Sequence, residues 1–471
     1  MKKTEKHHIE PQKKSWVPHI FVLLFVLIFL ASLATYIVPA GSYERVTNEE
    51  GMEVIDPESF EYIDRTPVDL FGFMLAIPNG LIETAEIVFG IIIIGGMFAV
   101  IERTGIINLG VGKLANTFAN RGLIVIPILM IPFALITAFT SQIELSLIYL
   151  PAILPLILRL GFDKVTAAAT VLIATVAGFT LGITSPANVG VAQQVSQLPL
   201  YSGMNYRIIM LITILTIGIF YVMRYAKKVR DNPELSVTYD EYERIQNNVV
   251  EDNGEQKATK RQIAASFILL IAFGVLIYGL LVHGWYFREL AGLYILTGVA
   301  VGIVGGLNGT QIAESFVEGF KNIILGALVV GIARGIAVVL NDGNIMDTLI
   351  YAAGNVVASM PSEITAVIMF VVQGIINFFI PSGSGQAMVT MPIMSGLADL
   401  SGVTRQVAVL AFLFGDGFAN IFYPTSGYFM AALAIAGIAW EKWVKFIWKL
   451  LLIWYSLAIV FLLIAQWMNY T

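Results

Sequence analysis

The chain reads as an all-α polytopic membrane protein made of two inverted repeats, each with a re-entrant hairpin and a broken transmembrane helix. Three observations predict this. First, 57% of the 471 residues are hydrophobic, 13% are charged and mean hydropathy is +0.79. Soluble domains carry roughly 25% charged residues, so the apolar excess belongs in lipid. Second, one pattern of helix breakers and polar residues occurs twice at a constant offset. Thr140-Ser141-Gln142-Ile143-Glu144, Pro151, Gly161 and Thr184-Ser185-Pro186 match Pro381-Ser382-Gly383-Ser384-Gly385-Gln386, Pro392, Gly402 and Pro424-Thr425-Ser426-Gly427. Paired, interrupted apolar segments in two halves of a chain point to the binding site of a secondary transporter. Third, lysine and arginine collect at a few segment ends, which orients the spans.

The elements follow in order. The polar tail 1–15 holds Lys2, Lys3, Lys6, Lys13 and Lys14 and is expected in the cytoplasm. The apolar stretch from Trp16 to Val38 is too long for a signal-peptide core and reads as a retained first helix. The acidic loop after it, from Glu44 to Asp64, is expected outside. Residues 68–80, interrupted by Pro78, Asn79 and Gly80, read as interfacial, and a second span covers 82–101. Two apolar segments, 122–138 and 145–160, have Arg121 and Arg159 at their far ends. Both ends prefer the cytoplasm, so they form a hairpin with its tip at 139–144. Such backbone is tolerated at membrane depth only inside protein or along a wet cavity. A span 165–198 breaks at Thr184-Ser185-Pro186, and the span 207–226 ends the repeat 1–228.

Residues 229–261, rich in charge and asparagine, read as a cytoplasmic linker to the second repeat, 262–471. There, spans are expected at 262–283, 289–305 and 322–340, with a surface helix at 309–320. A hairpin follows at 362–400 with its tip at 381–386, then a broken span at 404–437 and a last span at 443–467. The extra span 262–283 flips the second repeat, so one hairpin enters from each side. This places the C-terminus outside. Arg405 on the outer side runs against the charge rule.

Breaks leave backbone groups unpaired, at several kcal/mol each in hydrocarbon. Small polar side chains satisfy them, and the same groups bind sodium or a solute carboxylate. The candidates are Ser141, Gln142, Thr184, Ser185, Asn188 and Gln193 in the first half and Ser382, Ser384, Gln386, Asn420, Thr425 and Ser426 in the second. Glu144, Arg334 and Asp416 are charges deep in apolar sequence, where they are functional or paired. Either carboxylate could bind a solute amino group or a proton, and Arg334 a solute carboxylate or a structural partner. Gly331 and Gly335 match a helix-packing pattern. The chain has no cysteine, which excludes disulfides and thiol chemistry, and its four histidines make no metal cluster. It has no phosphate-binding loop ending in Lys-Ser/Thr and no His-Glu-x-x-His, which argues against an ATP-driven pump and an intramembrane metalloprotease.

Several segments resemble the YfcC family. They are Ser382-Gly383-Ser384-Gly385-Gln386-Ala387, Thr390-Met391-Pro392, Arg405-Gln406-Val407-Ala408, Gly415-Asp416-Gly417-Phe418 with Tyr423-Pro424-Thr425-Ser426, and Ala333-Arg334-Gly335-Ile336 before Asn341-Asp342-Gly343. Val38-Pro39-Ala40-Gly41 agrees more weakly. The group belongs to the DcuC-like carriers of the ion transporter superfamily. The resemblance implies an elevator-type carrier of amino acids or C4-dicarboxylates, and a homodimer. Relatives carry Gly-Met-Gly-Glu-Glu at the first hairpin tip. Here Ser141-Gln142-Ile143-Glu144-Leu145 retains one glutamate, which points away from a strictly dibasic solute.

The expectation is a multi-pass plasma-membrane carrier, symporter or antiporter, for a small charged organic solute, most simply an amino acid. C4-dicarboxylate transport is the alternative, and an intramembrane enzyme or a channel fits the paired breaks less well. Na+ or H+ is the expected coupling ion, with no other cofactor or metal and no nucleic acid.

Overall fold

The computed structural model describes residues 20–47, 51, 53–239, 258–361 and 364–471. The basic tail 1–15 and most of the expected linker, 240–257, lie outside the described residues. Among the described residues, seven helices are long and apolar enough to cross a membrane.

Helix α1, Ile20–Ile37, leads to a loop with two small antiparallel sheets, Gly41–Ser42 paired with Glu61–Tyr62 and Arg45–Thr47 with Glu53–Ile55. Next come α2, Leu70–Glu83, and α3, Ala85–Arg103. The first hairpin is α5, Val125–Thr140, and α6, Ser146–Arg159, after a short α4, Ile106–Phe118. The first broken helix is α7, Lys164–Thr180, then the π-helical turn Pro186–Gly190 and α8, Val191–Val195. Helix α9 covers Met204–Asp231, so it runs two turns further than expected from the sequence.

In the second half, α10 is Lys260–His283, α11 Phe287–Gly305, α12 Gly309–Asp342 and α13 Met346–Ala358. The second hairpin is α14, Thr365–Asn377, and α15, Gly383–Leu400. The second broken helix is α16, Arg405–Ala419, and α17, Gly427–Ala436, and α18, Trp440–Trp467, follows.

Helices α7 and α16 form the centre: α7 is buried at every position from Val165 to Thr180, and α16 from Gln406 to Ala419. They pack on each other and on their own hairpins. The contacts between halves are reciprocal. Helix α8 packs on α15 of the second hairpin, and α17 packs on α6 of the first. Matching glycines also shape matching ends. Gly161 and Gly402 adopt positive φ of 82° and 68° just past the two hairpins. Each reversal closes with a bond from the residue after the glycine, Phe162 N to Ile157 O at 3.2 Å and Val403 N to Ala398 O at 2.9 Å. This is the Schellman pattern, which favours glycine because a Cβ is strained there.

A second group of helices flanks this centre. Helices α2 and α3 run along α12, with α1 and α11 beside them and α10 on the outside against α11. Two expectations are corrected here. Residues 309–320 are not a separate surface helix but the start of the 34-residue α12. Its polar face misled: Ile312, Phe316 and Phe320 pack against Gly302, Gly298 and Gly96, while Glu314 pairs with Arg103. Nor is 68–80 interrupted at Pro78–Gly80: the helix α2 runs through them from Leu70 to Glu83. Asp69 caps α2, and Ala76 and Gly80 press on the backbone of Gly331 and Gly335. Arg405 also finds its explanation. It pairs with Asp399 at 2.6 Å and donates to Ser196 O and Gln197 Oε1.

Candidate functional site

The first hairpin turns at Ser141, which caps α5 in the left-handed region at φ 60°. That conformation is costly for a residue with a Cβ. Its hydroxyl supplies the compensation: Ser141 Oγ hydrogen-bonds Ser185 Oγ and accepts from Ala187 N at 3.1 Å. Ile183 N reaches back to Ala138 O at 2.8 Å, so the tip and the break of α7 are tied together. The carbonyls freed by the break meet Arg207, which sequence reasoning missed. It is buried at the start of α9 and donates to Gly182 O at 2.9 Å, Ile183 O, Tyr201 O and Ser202 O. An arginine just inside an apolar span was the available signal. In the second half Trp443 and Trp440 do this work, each donating at 2.9 Å to Ile421 O and Phe422 O.

The second hairpin tip is held by a buried amide network. Ser382 caps α15. Asn377 Nδ2 donates to Gln386 Oε1 at 3.0 Å and to Asp416 Oδ1 at 2.7 Å. Gln386 donates to Gln373 Oε1 at 2.7 Å, and Gln373 to Thr390 at 3.0 Å. Asn420 Nδ2 donates to Asp416 O at 2.8 Å and to its Oδ1 at 3.3 Å, and Asn420 Oδ1 accepts from Ser426 Oγ at 3.2 Å. Asn377, Gln373 and Thr390 were not anticipated, because amides inside an apolar run read as packing without the neighbour that organises them.

Both halves converge at Asp416. A Cβ placed on Gly383 would lie 3.4 Å from Asp416 Oδ2, 3.5 Å from Asn188 Cγ and 3.0 Å from the Phe179 ring. One placed on Gly417 would lie 2.0 Å from Thr180 Oγ1. Asp416, Asn188 and Thr180 are fully buried at 0% exposure. Asp416 Oδ2, Asn188 Oδ1, Asn377 Oδ1, Thr180 Oγ1 and Thr425 Oγ1 have no hydrogen-bond partner among the described residues. Buried polar atoms are ordinarily satisfied, so the orphaned oxygens of Asp416, Asn377 and Asn188 beside Gly383 mark a candidate ligand site.

Other sequence candidates stand elsewhere. Gln142, Glu144 and Thr184 are half-buried beside the first tip, outside the Asp416 network, and Ser384 is half-buried at the second. Arg334 pairs with Glu83, its Nε 2.6 Å from Oε2.

The family model for DcuC, a C4-dicarboxylate anaerobic carrier, matches residues 17–467. A protein of Escherichia coli K12, named "Putative basic amino acid antiporter YfcC", is 32% identical over 98% of both chains. An uncharacterized protein of Haemophilus influenzae is 28% identical over 91% of this chain and 93% of its own. Among solved structures, the YdaH transporter of Alcanivorax borkumensis is 14% identical at a TM-score of 0.43, covering 96% of this chain and 99% of its own. MtrF of Neisseria gonorrhoeae is 15% identical at 0.41, covering 95% of each. Those two overlaps are too loose to transfer a mechanism. The match along nearly the whole length and the identity to YfcC place this chain in the DcuC family of membrane carriers, with the YfcC-like proteins.

Proposed function

We propose that this secondary transporter moves an amino acid by alternating access and couples it to a monovalent cation, Na+ or H+, at Asp416. The carrying observation is that Asp416 and Asn188, one from each half, flank Gly383 at the second hairpin tip, both buried and each with a side-chain oxygen, Oδ2 and Oδ1, without a partner among the described residues. An ionised carboxylate at membrane depth needs a counter-charge or a proton. A set of carboxylate, amide and hydroxyl oxygens suits a hard cation. The reciprocal packing of α8 on α15 and α17 on α6 supports an inverted-repeat reading, in which the hairpins and broken helices move as one body against α2, α3 and α12. The amino-acid choice leans on the name of the E. coli relative. The family's description favours a second reading, a C4-dicarboxylate.

Counterflow in proteoliposomes tests both, with 14C-labelled amino acids against 14C-succinate. Asp416→Asn should abolish cation-dependent uptake at acid and alkaline pH alike while the protein still elutes as the parent does. Uptake by Asp416→Asn with the parent's cation dependence would refute the coupling site.

A further inference from the structure

A cavity of about 560 Å3 lies against the second hairpin tip, and Asp416 is not among its lining residues. Ser382 and Gly385 form part of its wall. Their neighbours Gly383 and Gln386 face the Asp416 cluster, so one turn of α15 divides the two spaces. The rest of the wall comes from α12, through Arg334 and Asn341, and from the loop after α1, through Arg45 and Glu53, with Asp347 from α13.

Its charges are arranged by sign. Arg45 is committed: its Nη2 lies 2.9 Å and 3.1 Å from the two oxygens of Asp347. Tyr43 N also donates to Asp347, at 3.0 Å. Arg334 is committed only through Nε, which donates to Glu83. No other hydrogen bond of its guanidinium is formed among the described residues, which leaves the two Nη groups for a bidentate carboxylate. The N-terminus of the 18-residue α15, at Gly383–Gly385, adds a positive dipole end on the same wall. Glu53 supplies negative charge on the opposing loop side, while Asp347 is neutralised by Arg45. The volume is in the range of small-molecule sites, which run from about 300 to 1,000 Å3.

We infer that this cavity is a second solute site, an outer station for a zwitterionic amino acid, with the solute carboxylate on Arg334 and its ammonium toward Glu53. This rests on the transport reading for its purpose but not for its chemistry. Arg334 is then the residue that selects for a carboxylate, and the tip of the second hairpin is the partition a solute crosses to reach the interior.

The test is equilibrium dialysis of the purified protein with a 14C-labelled amino-acid mixture, run beside counterflow in proteoliposomes. The parent should bind label. Arg334→Gln should lose about tenfold or more of that affinity, the scale of a charged hydrogen-bonded pair, and Arg334→Lys should keep part of it. Glu83→Gln, which removes the partner and spares the guanidinium, should bind at least as well as the parent. Elution volume and helical circular dichroism check that each variant is folded. Arg334→Gln binding like the parent overturns the proposal, as does a parent that binds no amino acid, 14C-succinate included as the control for a dicarboxylate site. Arg334-dependent binding without counterflow upholds the site and refutes the transport reading instead.

Discussion

At the residue scale, Gly383 is the sharpest probe of the interior site. It sits at the first position of α15 with an ordinary helical backbone, so alanine is acceptable there on conformational grounds. Its added methyl would stand 3.4 Å from Asp416 Oδ2 and 3.5 Å from Asn188 Cγ, in the space between the orphaned oxygens. Gly383→Ala should therefore leave thermal stability within about 1 kcal/mol of the parent and weaken the cation dependence of uptake about tenfold or more. The measurement is initial uptake rate against sodium and against pH. An unchanged dependence would mean that the gap is packing and not a ligand space. Asp416 itself shows why a residue's identity is not its environment. The sequence marks it as a charge in apolar surroundings. Its amide partners Asn377 and Asn420 lie 39 and 4 positions away, and only the second is visible as a neighbour.

At the element scale, a broken membrane helix is stable only if its free carbonyls find donors. The two halves solve this differently. Arg207 binds the end of α7 with one guanidinium, and Trp440 and Trp443 bind the end of α16 with two indoles. Arg207→Ala removes two bonds to buried carbonyls, of Gly182 and Ile183, and two to half-buried ones, of Tyr201 and Ser202, and should cost about 2–5 kcal/mol, since each orphaned buried group costs roughly 1–3 kcal/mol and the break can partly relax. Trp443→Phe removes one bond and keeps most of the ring packing, so about 1–2 kcal/mol is expected. Thermal unfolding of both variants in detergent decides this, and equal stability of Arg207→Ala and the parent would sink the argument. The proline, glycine and hydroxyl residues made both breaks and both hairpins legible in the sequence. The donors were not legible, because an arginine or tryptophan near a span end is also an ordinary interfacial residue.

At the scale of the whole molecule, the chain sorts its loops to two ends. Residues 196–203, 404–406 and 470 meet at one end through Arg405 to Ser196, Gln193 to Gln406 and Tyr470 to Gly203. Asp163, Tyr225 and Ser236 meet through buried hydrogen bonds, and Arg103 pairs with Glu314. The positive-inside rule then sets which end is which. In this cysteine-free chain, Glu61→Cys should react with an impermeant maleimide on intact cells, and Lys260→Cys only after permeabilisation. Labelling in the reverse order would invert the orientation and with it the outer position of the Arg334 cavity.

The sequence by itself determined what lipid enforces. Apolar length gives spans, flanking charge orients them, and a polar or helix-breaking residue at membrane depth must be buried in protein or functional. Hence the hairpins, both breaks and a buried carboxylate at Asp416 were readable from residue types and spacing. The tertiary structure alone decided which polar groups share a space. Asp416 and Asn188 of the other half flank Gly383, Thr180 faces Gly417, Arg334 meets Glu83 some 251 positions earlier, and Gln193 turns away to Gln406. Such pairings depend on which helices cross, and crossing is set by close contact of small residues such as Gly80 against Gly331 and Gly335. Hydropathy and charge are sums over a segment, and they hold no record of the face a side chain presents to a distant helix.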